Sequence, residues 1–164
     1  MDNLLEFLGY TLAIGIGATV VMDLWAVFIR RFFGIHGLNY AMLGRWIGHM
    51  TRGRVRHQSI ADAAPVYNEA PVGWAIHYAT GIAFAAILLL VVGAAWVKSP
   101  TLLPALATGV GSVIAPYFIM QPALGLGVAA CRTPAPNAAR LKSLTSHTVF
   151  GIGLYLAAQL LAVF

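Results

Sequence analysis

The chain predicts an all-α fold, an integral membrane four-helix bundle, and three observations carry that reading. Of its 164 residues, 60% are hydrophobic and only 9% are charged, too little charge to cover a soluble domain of this size. Four apolar runs, at 4–29, 71–97, 102–130 and 144–164, reach the length of about 20 residues that a hydrocarbon core requires. Every Lys and Arg except Lys98 falls in the loops on one side of those runs. What remains is too short for a second domain, so 1–164 reads as a single transmembrane domain.

The first run keeps its place in the mature chain on this reading. Asp2 and Glu6 stand where a cleaved signal peptide would carry Lys or Arg, and no small-residue cleavage site precedes Arg30. Gly15, Thr19 and Asp23 recur every four residues, which puts a polar group on a face that packs closely against another helix.

The loop at 30–70 is expected to hold an interfacial amphipathic helix near 39–51. Asn39 would cap it, and Tyr40, Leu43, Trp46, Ile47 and Met50 would line one side. Arg45, His49 and Arg52 would then face headgroups or water, so Arg45, Trp46, Arg52, Arg54 and Arg56 form the expected membrane-surface set. A second short helix is expected from Ser59, where Ser-Ile-Ala-Asp has the form of a capping box. Asn68 and Glu69 precede Pro71, a good start for the second spanning helix, and the helix dipole alone explains Glu69 there.

Ser99-Pro100 and Pro104 make the turn into the third helix. Pro116 and Pro122 fall inside it, and each removes a backbone donor and should kink it. Thr133-Pro-Ala-Pro136-Asn forms the next turn. Ser143, Thr145 and Ser146 near the start of the fourth helix read as capping residues. Cys131, the single cysteine, excludes an internal disulfide and reads as a packing residue.

The positive-inside rule places the two basic loops in the cytoplasm and both termini outside. The net charge of +5 is thus a topology signal, and anionic lipid headgroups are the expected partner in place of nucleic acid.

The two halves read as a tandem duplication of a two-helix hairpin. His77-x-x-x-Gly81-Ile82 recurs as His147-x-x-x-Gly151-Ile152. Gly15-x-Gly17 followed by Met22-Asp23 is echoed by Gly109-x-Gly111 followed by Met120-Gln121.

Each spanning run carries one strongly polar residue: Asp23, His77, Gln121 and His147. At about 1.5 Å per residue, Asp23 lies roughly 10 Å inside Arg30, His77 about 9 Å inside Pro71 and His147 about 8 Å inside Lys142. Gln121 comes out deeper, roughly 16 Å from Arg132. These four are expected to converge as a ligand-binding site near the cytoplasmic mouth.

Three functions fit the constellation. The first is a small transporter-like or ligand-binding protein. The second is a redox protein in which His77 and His147 bind a metal ion or a haem, with Gly81 and Gly151 leaving room for a flat porphyrin. The third is an accessory subunit whose polar residues fix helix packing. An enzyme has less support, because His-Glu-x-x-His, Gly-x-Ser-x-Gly and a phosphate-binding Gly-rich loop are all missing. Met22 and Met120 read as core residues in preference to copper ligands. Four helices leave little room for a permeation path, so a homodimer or larger membrane complex is expected.

Met22-Asp23, Trp74 with His77, Gln121-Pro122-x-x-Gly125, Thr133-Pro-x-Pro136 and His147-x-x-Phe150-Gly151-x-Gly153-Leu-Tyr155 together resemble an uncharacterised family of small bacterial inner-membrane proteins. The resemblance covers nearly the whole chain. It implies four spanning helices, bacterial origin and a multi-pass place in the cytoplasmic membrane, and it brings no activity, substrate or cofactor with it.

Overall fold

The computed structural model describes residues 2–163, so the expected end of the last span at Phe164 lies outside them. Among the described residues every regular element is a helix, with no strand. Four stretches are long and apolar enough to cross a membrane: Leu4–Phe33, Glu69–Val92, Leu102–Ala123 and Pro136–Ala162.

Helix α1 (Asp2–Phe33) contains no proline and stops at Gly34. That glycine takes a positive φ of 67°, which turns its own N–H and that of Ile35 back onto the carbonyls of Arg30 and Ile29. Helix α2 (Tyr40–Met50) begins as expected on Asn39, whose side chain accepts from the Ala41 N–H at 3.0 Å. Helix α3 (Glu69–Val92) ends at Gly93, and the chain then tightens into a 3₁₀ turn over Ala94–Lys98.

The third span is broken where its prolines fall. Helix α4 (Leu102–Gly111) leads into a π-helical turn, Ala115–Met120, and then a single turn, α5 (Gln121–Ala123). Pro116 has no N–H to give, and the Gln121 N–H reaches back five residues to the Pro116 carbonyl. The chain then leaves the helix through Gly125 and Gly127, both at positive φ. Helix α6 (Pro136–Ala162) starts on a proline at its first position, earlier than the hydrophobic run at 144 suggests.

The residues form two compact units. The first comprises the chain up to His36, Tyr78–Ser112 and the chain from Thr145 onward. Its core is Ile14, Ala18, Ala85, Leu88, Leu89, Val97, Ala105, Phe150, Leu154 and Ala158. Small residues let its helices touch by backbone. A Cβ on Gly15 would overlap Ile82 of α3, one on Gly109 would overlap Gly151 of α6, and one on Gly153 would press on Ala18 of α1.

The second unit comprises Gly37–His77 and Val113–Leu144. Leu43, Trp46, Ile60, Ala123 and Leu124 form its core. Helix α2 crosses the start of α3 at Gly44 and Gly73, where neither position has room for a Cβ.

Two expectations for this unit are corrected. Arg45, Trp46 and His49 do not face headgroups: all three are buried. The Arg45 guanidinium makes a two-pronged ion pair with Glu69, at 2.8 and 2.9 Å, and donates to the carbonyls of Ile60, Ala61 and Ala63. Trp46 donates its indole N–H to the Val55 carbonyl at 2.7 Å. Of the expected surface set, Arg52, Arg54 and Arg56 are exposed. No helix starts at Ser59 either. The segment is a turn, and the carbonyls that a helix would use internally are taken by Arg45.

Candidate functional site

The first unit holds Asp23 and His147, and the second holds His77 and Gln121. Each of the four meets a hydroxyl from another part of its own unit. Tyr78 of α3 donates to the Asp23 carboxylate of α1 at 3.0 Å. The Tyr40 hydroxyl of α2 lies 3.0 Å from His77 Nε2, and the two rings stack with centroids 4.3 Å apart. Ser112, just past α4, sits 2.6 Å from His147 Nδ1 of α6. Gln121 of α5 donates through Nε2 to Ser143 Oγ of α6 over a longer 3.4 Å.

Hydroxyl partners have a chemical consequence. They satisfy a polar side chain without neutralising it, and they can donate or accept as the partner's protonation requires. Ser112 is fixed in one of these roles. Its hydroxyl proton is used on the Gly109 carbonyl at 2.6 Å, so Ser112 can only accept from His147, and His147 carries a proton on Nδ1. That contact survives whether or not the imidazole takes a second proton at Nε2.

Gln121 is different. It is only 5% exposed, and its Oε1 has no hydrogen-bond partner. Buried acceptors are nearly always satisfied, because leaving one bare costs about 1–3 kcal/mol. Gln121 follows immediately on the π turn, and such turns are frequent at functional sites. The amphipathic sides of Trp74 and Tyr40 complete an aromatic cluster around His77, with the Tyr40 and Trp74 centroids 4.4 Å apart.

Sequence reasoning missed all four hydroxyl partners in this role. Tyr40 read as an apolar face residue and Ser143 as a helix cap, while Tyr78 and Ser112 carried no signal of their own. It also missed His57, which is buried with neither ring nitrogen hydrogen-bonded.

The haem or metal alternative gains no support from these contacts. His77 presents Nε2, the nitrogen an axial ligand would use, to a tyrosine hydroxyl. Among the described residues no group of three or more His, Cys, Asp or Glu side chains could hold a metal ion.

Four helical stretches long and apolar enough to cross a membrane, glycine-mediated helix contacts and half-buried hydroxyl-paired polar side chains are the features of a polytopic helical membrane protein. The chain belongs to the family described as protein of unknown function (DUF2938), whose model matches residues 12–161. No curated protein and no solved structure matches it significantly.

Proposed function

We propose that the protein is a multi-pass protein of the bacterial cytoplasmic membrane, with both termini outside, that binds a small polar ligand in a transporter-like manner. The observation that carries this is the bare Oε1 of Gln121 at the break in the third span. A buried acceptor there needs a donor, and a ligand O–H or N–H supplies one. Asp23, His77 and His147 are the other polar side chains assigned to ligand handling, each paired with a hydroxyl in its own unit.

Internal symmetry supports the same reading. Gly15 meets the Gly81-Ile82 backbone in one half, and Gly109 meets Gly151 in the other, the glycines of the matching motifs. One turn after each leading glycine a hydroxyl bonds back to it: Thr19 to Gly15, and Ser112 to Gly109. This agrees with tandem duplication of a two-helix hairpin, an architecture common among transporters. Exposed Arg52, Arg54 and Arg56 are suited to anionic headgroups, and a homodimer or larger complex would enlarge the path that four helices offer.

The test is accessibility. Gln121→Cys is made in a Cys131→Ser background and treated with a membrane-impermeant thiol reagent in inverted and right-side-out vesicles. Labelling from the cytoplasmic side alone is expected. Protection from both sides would overturn the reading.

A second reading, that the polar residues only fix helix register, is favoured by the three shorter hydroxyl pairs. Such bonds contribute about 0.6 kcal/mol on average in membrane proteins. On that reading Gln121→Cys stays protected.

A further inference from the structure

The break in the third span frees backbone carbonyls, and the loop between α2 and α3 covers them. Ala123 accepts from the His57 N–H at 2.8 Å, and Leu124 accepts from the Ile60 N–H at 3.1 Å. Between them Gly125, at φ 93°, lies so close to the Gln58 carbonyl that any Cβ would overlap it. The loop is therefore seated on the break backbone to backbone.

The side chain at the centre of this contact is His57. It is 6% exposed, and neither ring nitrogen has a hydrogen-bond partner. Its ring meets His49 of α2 edge to face, with centroids 5.0 Å apart. His49 is committed through Nε2 to the Ala64 carbonyl at 2.9 Å. A neutral imidazole can sit there at the cost of its unmade hydrogen bonds. An imidazolium would be buried with two donors and only the Ala123 carbonyl to favour it, a far larger penalty.

We propose that His57 is a proton-operated latch: uptake of one proton releases the 51–68 loop from the broken third span and uncovers the Ala123 and Leu124 carbonyls. The device is independent of whatever the intramembrane polar residues bind. It opens the break when the compartment facing the loop turns acidic.

The electrostatics agree in sign. Burial pushes His57 below its ordinary value of 6.5, Arg54 and His49 push it further the same way, and its backbone contact with Ala123 opposes them. Those two are the ionisable groups acting on it, since Met120–Leu126 of the third span has no ionisable side chain. The seated loop thus binds the proton less well than the released one. Seating is fully favourable above about pH 6.5 and weakens as pH falls below it, by up to tenfold per pH unit for one proton.

Hydrogen–deuterium exchange of the full chain in lipid nanodiscs tests this, following the peptide that contains the His57 and Ile60 amides. After correction for intrinsic exchange, protection should fall by up to tenfold per unit as pH drops from 7.5 to 5.5. In His57→Phe, which stays neutral, it should not change with pH. Protection independent of pH in the wild-type chain would overturn the proposal, as would a pH dependence that persists in His57→Phe. If that variant does not fold, ¹⁵N-histidine titration of the wild-type protein decides: a His57 midpoint below 6.5 supports the latch, and one at or above 6.5 overturns it.

Discussion

Arg45→Met should be among the most destabilising single changes outside the spans, because Arg45 joins three parts of the second unit. Its guanidinium holds Glu69 at the start of α3 by two hydrogen bonds, and it holds the turn after Ile60 by three carbonyls. Methionine keeps the apolar stem but leaves a carboxylate and three acceptors without their donor. Breaking a buried pair by removing one partner costs about 3–5 kcal/mol. The Glu69 side chain is 19% exposed, so water recovers part of that, and a loss of about 2–3 kcal/mol is expected after this screening. Glu69→Gln keeps a hydrogen-bonding acceptor and should cost about half as much, roughly 1–1.5 kcal/mol. Arg45→Lys keeps the charge but cannot serve both the carboxylate fork and three carbonyls, so it should fall near Met and not near the wild type. Reversible unfolding in mixed micelles, following Trp46 fluorescence, measures all three. An Arg45→Met loss under 1 kcal/mol, or an Arg45→Lys variant as stable as the wild type, would refute the argument.

Two further changes probe the first unit. Gly15→Ala and Gly109→Ala each drive a methyl into the backbone of a facing helix, at matching places in the two halves. Both should lose about 1–3 kcal/mol of unfolding free energy, and a large loss in one with none in the other would contradict the symmetry. Tyr78→Phe removes the donor to Asp23 and should cost about 0.6 kcal/mol and at most about 1.7, measured by the same unfolding.

Much of this architecture was legible in the sequence, for reasons that can be traced. The spans follow from apolar length, the α2 start from Asn39, and the fracture of the third span from Pro116 and Pro122. The form of that fracture was not legible, because a proline says which N–H is missing and not which carbonyl the next N–H will find. Arg45 misled the amphipathic reading for a related reason. Periodicity places a residue on a helix face, but its acid partner lies 24 residues away in sequence, and that contact depends on how α2 crosses α3 at Gly44 and Gly73. The four polar residues stood out because charge and amide groups are costly in a membrane. Their hydroxyl partners did not, since Tyr and Ser are ordinary in such helices and acquire a role only when helices face one another. His57 was hidden for the same reason: its burial comes from the loop docking on Ala123, a contact across much of the chain.

The account turns on Gln121 being an acceptor held for a ligand, and the stability of ligand-free Gln121→Met tests that most directly. Methionine matches glutamine in shape and removes both the bare Oε1 and the long contact to Ser143. If the carboxamide is there for a ligand, the variant should unfold at the same free energy as the wild type or up to about 1–2 kcal/mol higher, since an unsatisfied buried polar group is gone. A loss of about 2 kcal/mol would mean that Gln121 holds the helices together, and would contradict the ligand-binding account.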